Sequence, residues 1–139
     1  MYRVLLLSHG NLARELLRTV EMVIGAQPEE AVRAVSLETG QDMDEYYQVI
    51  DRFVAGSADR GGCMIFTDIA GGSPFITSAR VYREHSPRMK LEIITGMNLP
   101  MVIEAVSNRI YGDFEAVKEE AVREGAGGIR AFSDSMPVC

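Results

Sequence analysis

Cysteine and histidine are scarce in this chain, with two of each. A zinc centre needs about four such ligands at short spacing, and no such pattern is present. No metal site is expected. Cys63 opens an apolar run and reads as a small core residue, while Cys139 is the last residue of the sequence. A disulfide between them is not expected in a reducing compartment. Basic residues are also short: 14 Lys and Arg stand against 20 Asp and Glu, a net charge of −6. Binding to a phosphate backbone needs a basic face, so a nucleic-acid partner is excluded, and an anionic membrane surface is disfavoured on the same ground. No apolar run approaches the roughly 20 residues that span a bilayer. The opening Met1-Tyr2-Arg3-Val4-Leu5-Leu6-Leu7 is too short for a signal peptide, and a helical pattern follows it in place of a small-residue cleavage site. A cytoplasmic protein is expected. Two phosphate-binding motifs are missing as well. There is no Gly-Lys-Ser or Gly-Lys-Thr of a Walker loop, and no Gly-x-Gly-x-x-Gly after the first strand. Nucleoside triphosphates and dinucleotides are therefore not expected as ligands, and no cofactor is.

What is present is a regular alternation of short apolar runs and helical periodicity. With 139 residues, 47% of them hydrophobic, the chain is long enough for a proper core. One domain is expected over residues 1–132, followed by a loose tail over 133–139. Tyr2 to Ser8 reads as a buried strand and Asn11 to Ile24 as an amphipathic helix, stopped by Gly25 and Pro28. Ala31 to Leu37 is the second strand. Asp42 is placed to cap a second helix, whose apolar residues Met43, Tyr46, Tyr47, Ile50, Phe53 and Val54 follow the helical period. Cys63 to Thr67 is the third strand. Ser73 reads as the N-cap of a third helix running to about Glu84, with Pro74 at its first position. Lys90 to Thr95 is the fourth strand, Pro100 to Arg109 the fourth helix, and Phe114 to Arg123 the fifth, stopped by Gly125. Gly127 to Phe132 reads as a short final strand. The order predicts an α/β fold: an open, doubly wound, mostly parallel sheet with helices on both faces and an antiparallel edge strand at the C-terminal end.

In such a sheet, ligands bind beyond the carboxyl ends of the strands. Three loops are predicted to meet there: Ser8-His9-Gly10, Asp68 to Ser73, and Gly96-Met97-Asn98. His9 sits where the first strand should end. Histidine serves as base, metal ligand or nucleophile. Asp68 is the one obvious carboxylate on this edge, too little for a metal, but suited to orienting an imidazole as in a triad. Gly71 and Gly72 let backbone N–H groups turn toward a ligand, and the helix opening at Ser73 adds its free amides, positive end and a hydroxyl. The bland readings are a loop histidine, a turn-forming aspartate and a simple helix cap. Thr95 and Asn98 read first as turn residues, and His85 as a solvated surface histidine near the opposite edge.

Three stretches together resemble the IIA component of the mannose class of the bacterial phosphoenolpyruvate-dependent sugar phosphotransferase system. They are Leu7-Ser8-His9-Gly10, Thr67-Asp68-Ile69-Ala70-Gly71-Gly72-Ser73-Pro74-Phe75, and Thr95-Gly96-Met97-Asn98-Leu99-Pro100-Met101. The resemblance implies that His9 is the phosphorylated histidine, that Asp68 hydrogen-bonds it, and that Gly71, Gly72 and Ser73 form the phosphate-facing turn. It implies a phosphoryl donor, the carrier HPr, and an acceptor histidine on a IIB component. The membrane components IIC and IID then follow indirectly in sugar uptake. It also implies a homodimer in which the strand over Gly128 to Phe132 is exchanged between subunits. Ile76 departs from the pattern, standing where such proteins commonly carry a polar residue.

Two other functions fit the same residues. One is a phosphorylation-sensing regulatory module of the same fold. The other is a phosphatase or mutase with a phosphohistidine intermediate, which would need a general acid and clamping arginines beside His9. Arg3 and Arg14 are near in sequence, but neither is plainly aimed at the edge.

Overall fold

The computed structural model describes residues 1–135. Four strands, β1 (Arg3–His9), β2 (Val32–Leu37), β3 (Cys63–Thr67) and β4 (Leu91–Ile94), alternate with helices α1 (Leu12–Ile24), α2 (Met43–Ala55), α3 (Ser73–His85), α4 (Leu99–Ser107) and α5 (Phe114–Gly127). A 3-10 turn over Phe132–Ser135 follows. The strands form one parallel sheet in the order β2-β1-β3-β4. Leu7 of β1 lies between Val35 of β2 and Thr67 of β3.

Alternation along the strands builds two cores. Val4, Leu6, Met64, Phe66 and Ile94 face α1, α4 and α5, where they meet Val20, Val102, Ala105, Val117 and Ala121. Leu5, Leu7, Cys63, Ile65 and Leu91 face α2 and α3, where they meet Tyr46, Ile50, Phe53, Val54 and Val81. Both faces of β1 are covered, so its residues from Val4 to Ser8 are all buried and it reads as one apolar run rather than an alternation. Cys63 is buried there, and burial pushes its thiol up to about 12, leaving it protonated and inert.

The strand order places the site. The chain runs outward from β1 to β2, then returns across β1 to β3 on the other side. The reversal opens a crevice between the carboxyl ends of β1 and β3. His9 ends β1, and Asp68 is the first residue after β3.

Several sequence expectations are corrected by packing. Helix α5 does not stop before Gly125. It runs to Gly127, and a Cβ on Gly125 would stand 2.6 Å from Met101 Cε. The glycine is there for the close approach of α5 to α4, not as a terminator. No strand forms over Gly127–Phe132 among the described residues. The helix takes the first of these residues, and the backbone bonds that follow are local, Ile129 N–H to Ala126 O and Asp134 N–H to Ala131 O. An extended ladder needs a neighbouring edge, and the segment finds none in its own chain. Residues 136–139 of the expected tail, Cys139 included, lie outside the described residues. Finally, His85 is not solvated. Its Nε2 stands 2.7 Å from Asp51 Oδ1 with the side chain only 14% exposed, tying the end of α3 to α2.

Candidate functional site

Ser8 prepares the turn that presents His9. Its hydroxyl accepts the N–H of Ala13 at 2.7 Å, serving the start of α1 from three residues before Asn11, which occupies the N-cap position without a side-chain bond. Gly10 N–H donates to Leu37 O at 2.8 Å, so the turn is closed onto the end of β2. His9 thus leaves the strand with its side chain 49% exposed, whereas the Asp68 side chain is only 9% exposed.

The two are joined twice. Asp68 Oδ2 accepts the backbone N–H of His9 at 2.9 Å and lies 2.8 Å from His9 Nδ1. Asp68 Oδ1 accepts the backbone N–H of Ile69 at 2.9 Å. Burial alone would raise the carboxyl's pKa. The bonds from the His9 backbone, the His9 ring and the Ile69 amide outweigh it and leave Asp68 below its ordinary value. The anionic carboxylate accepts a proton held on Nδ1, which fixes the tautomer and leaves the Nε2 lone pair available.

The loop after Asp68 closes against the ring. Gly71 has φ +84°, a left-handed conformation suited to glycine. A Cβ on Gly72 would stand 2.9 Å from His9 Cε1 and 3.3 Å from Ile69 Cγ1. Gly72, not Ser73, is the N-cap of α3, and its carbonyl accepts the N–H of Ile76 at 2.9 Å. The one-residue shift from the expected cap matters chemically. Ser73 becomes the first helical residue, and its hydroxyl is not consumed by capping.

We expect Gly72→Ala to push the imidazole off its seat, because the new methyl group meets a ring atom between the two nitrogens. Any group transfer that uses the Nε2 lone pair should fall about 10- to 100-fold. Steady-state transfer kinetics with a folded variant would check this, and an unchanged rate would mean that the ring has room to move without penalty.

Of the third expected loop, Met97 N–H donates to Thr67 O at 3.1 Å, next to Asp68, but the Asn98 side chain is engaged elsewhere. Asn98 Oδ1 accepts the N–H of Met101 at 3.1 Å as the cap of α4, and its Nδ2 donates to Gly125 O at 3.0 Å. Its side chain is committed toward α5. The loop between β2 and α2 also lies beside His9. Leu37, Glu38, Thr39, Gly40, Gln41 and Met43 line an open cavity of about 310 Å³ beside His9 and Gly10. Sequence reading missed this loop, although the neighbour relation of β1 and β2 points to it. Arg3, weighed as a phosphate clamp, is spent elsewhere. Its guanidinium bonds Glu30 O and Phe53 O and lies over the Phe53 ring.

Leu12, Met43, Ile69 and Ile76 are between 44% and 59% exposed. They belong to the loops and helix starts at the carboxyl end of the sheet, the end at which His9 leaves β1. No helix among the described residues is long and apolar enough to cross a membrane. Asp51, Glu84 and His85 bring three potential metal-ligand atoms within 4.8 Å of one another, but where α3 ends, away from His9. Those groups are already engaged: His85 with Asp51, and Glu84 with the Tyr47 hydroxyl.

The arrangement is that of an oriented imidazole beside a loop of backbone amides. Comparison with known proteins supplies the family. A family model described as "PTS system fructose IIA component" matches residues 3–122. The PTS (phosphotransferase system) mannose-specific EIIAB component of Escherichia coli (strain K12) is 29% identical over 130 residues, covering 89% of this chain and 38% of that protein. The chain thus spans well under half the length of that relative. The PTS sorbose-specific EIIA component of Klebsiella pneumoniae is 28% identical over 109 residues, 78% of this chain and 76% of that one. Among solved structures, phosphotransferase system component EIIA from Streptococcus agalactiae superposes with a TM-score of 0.85 at 26% identity, covering 96% of this chain and 99% of that chain. The family match extends from β1 through most of α5 and takes in His9, Asp68 and the glycine loop, so the chain belongs to the mannose/fructose-class IIA components of the phosphotransferase system.

Proposed function

We propose that this protein is a phosphocarrier in which His9 Nε2 accepts a phosphoryl group from phosphohistidine on HPr and passes it to a histidine of a IIB component. The observation that carries the reading is the pair of hydrogen bonds from His9 to Asp68, through the backbone N–H and Nδ1. In the step, the Nε2 lone pair attacks phosphorus. The P–N bond of the donor breaks, and its electron pair returns to the donor imidazole. Nδ1 keeps its proton, so positive charge develops on the His9 ring next to the Asp68 carboxylate. The backbone amides of Gly71, Gly72 and Ser73 and the start of α3 face the transferred group and offset its negative charge. Glycine amides and a hydroxyl, without a lysine, hold that group loosely enough for a second transfer. The membrane components IIC and IID select the sugar, and the protein works in the cytoplasm.

The test is phosphoryl transfer in a mixture of phosphoenolpyruvate, enzyme I, HPr and this protein. An acid-labile, base-stable phosphate that depends on HPr is the expected product. Absence of label, with HPr active toward a control acceptor, would overturn the carrier reading and favour a regulatory module of the same fold.

We also propose a homodimer. Ile129 and Phe132 are 79% and 78% exposed, and β4 is an edge of the sheet. Pairing of the segment after α5 with the β4 edge of a second copy would cover both apolar side chains. Light scattering at micromolar concentration should give twice the chain mass; a monomer would refute the exchange.

A further inference from the structure

Two buried hydroxyls behind the site lack partners. Tyr46 and Thr67 are both 0% exposed, and neither Tyr46 Oη nor Thr67 Oγ1 has a hydrogen-bond partner among the described residues. A buried hydroxyl without a partner is unfavourable, and native structures satisfy nearly all of them with protein or with ordered water.

The two groups share one side of the sheet. Thr67 ends β3, and the alternation Cys63, Ile65, Thr67 puts its side chain on the α2 and α3 face. Tyr46 lies in the first turn of α2 and packs in that same core with Leu5, Leu7 and Ile65. That turn begins at the carboxyl edge of the sheet, where Met43 lines the cavity beside His9. Asp68 directly follows Thr67, and its charge acts on the Tyr46 phenol: burial first and Asp68 second raise the phenol's pKa. Tyr46 therefore stays a hydrogen-bond donor.

We propose that Tyr46 Oη and Thr67 Oγ1 share one buried water molecule behind Asp68, and that Tyr46 is a positioning residue that holds the Asp68 carboxylate against His9 through that water. The acceptor arithmetic allows it. Asp68 Oδ2 already accepts two N–H groups from His9, and Oδ1 accepts one, from Ile69. Oδ1 retains one acceptor site. A water molecule offers two donors and two acceptors, enough to serve Tyr46, Thr67 and that site together. The polar chain would run from α2 through β3 to the imidazole, so the tilt of the first turn of α2 would be felt at His9.

The inference deepens the carrier reading and depends on it only for its kinetic arm. A high-resolution crystal structure of the full chain should show a water within about 3.2 Å of both hydroxyls. Tyr46→Phe and Thr67→Val, which keep shape, should each raise the titration midpoint of the Asp68 carboxyl, followed by ¹³C NMR. Thr67→Ser should restore it. In phosphoryl transfer, each loss variant should lower kcat about fivefold with KM for phospho-HPr unchanged. The double variant should be no worse than either single one, because both remove the same water. No water at that place, or an Asp68 midpoint unmoved in both loss variants, would overturn the proposal. The crystal structure and the titration use no phosphoryl donor, so they decide it even where labelling of His9 fails.

Discussion

His9→Ala is expected to abolish the acid-labile phosphate on this protein and to leave the domain folded. The His9 side chain is half exposed, is bonded by Asp68 and lies where a Cβ on Gly72 would meet it, while the strand beneath it is held by Leu5, Leu6 and Leu7 in the two cores. Removing the ring takes nothing from either core. The stability change should stay within about 1 kcal/mol, as for surface positions generally. The chemical loss should be complete, because the other imidazole cannot substitute. His85 ends α3, at the opposite end of that helix from the loop that packs on His9, and its Nε2 is engaged by Asp51. Radiolabel transfer from phospho-HPr, read beside a thermal melt, checks both halves. A folded, labelled variant would move the acceptor to another residue, and Asp68 would then need a different explanation. An unfolded variant would mean that the Asp68 clamp holds the β1–β3 crevice together as well as the ring.

The legible and illegible parts of this molecule differ in the range of the contacts that decide them. Local signals suffice for the strands and for the order of the helices. The run from Val4 to Leu7 is apolar throughout because α1, α4 and α5 cover one face and α2 and α3 the other. The Asp42 cap is legible because its bonds go to Asp44 and Glu45, next to it in sequence. His9 and Asp68 are legible as candidates because each lies at a strand's carboxyl end, where an α/β sheet gathers its loops. Features that depend on a distant neighbour are not. Gly125 looks like a terminator until Met101 is seen against it. His85 looks solvated until Asp51 arrives from α2. Gly127 to Phe132 has the composition of a strand, but a strand exists only with an edge to pair with. The loop over Glu38 to Met43 carries no distinctive motif, and only the adjacency of β2 to β1 brings it beside His9.

Asp68→Asn should leave His9 in place and slow phosphoryl transfer by about 10²-fold. The carboxylate accepts three N–H groups: the His9 backbone, the His9 ring and the Ile69 backbone. An asparagine amide has one oxygen and one NH2. If the oxygen keeps the Oδ2 position and both His9 bonds, the NH2 faces the Ile69 N–H, donor against donor. If the amide turns round, its NH2 faces His9 and favours the tautomer that carries the proton on Nε2, the atom proposed to attack. Either way the variant also loses the anion that balances charge on the phosphorylated ring. The rate loss should therefore appear in kcat rather than in the KM for phospho-HPr. The pH dependence has a definite sign. Asp68 is held below its ordinary carboxyl value, so the unfolded chain binds its proton more tightly than the folded one does. Its contribution to stability is fully present above the ordinary value of about 3.9 and is lost as pH falls through the lower folded value. The asparagine variant lacks this group, so its melting temperature should fall less steeply than that of the wild type below about pH 4. Parallel melts across pH 2 to 7, with transfer assays at neutral pH, separate the two roles. A variant with wild-type kcat and a flattened acid limb would make Asp68 a stabiliser of the turn only. A slow variant with an unchanged acid limb would mean that Asp68 acts on the imidazole without the anion-linked stability that its bonds imply.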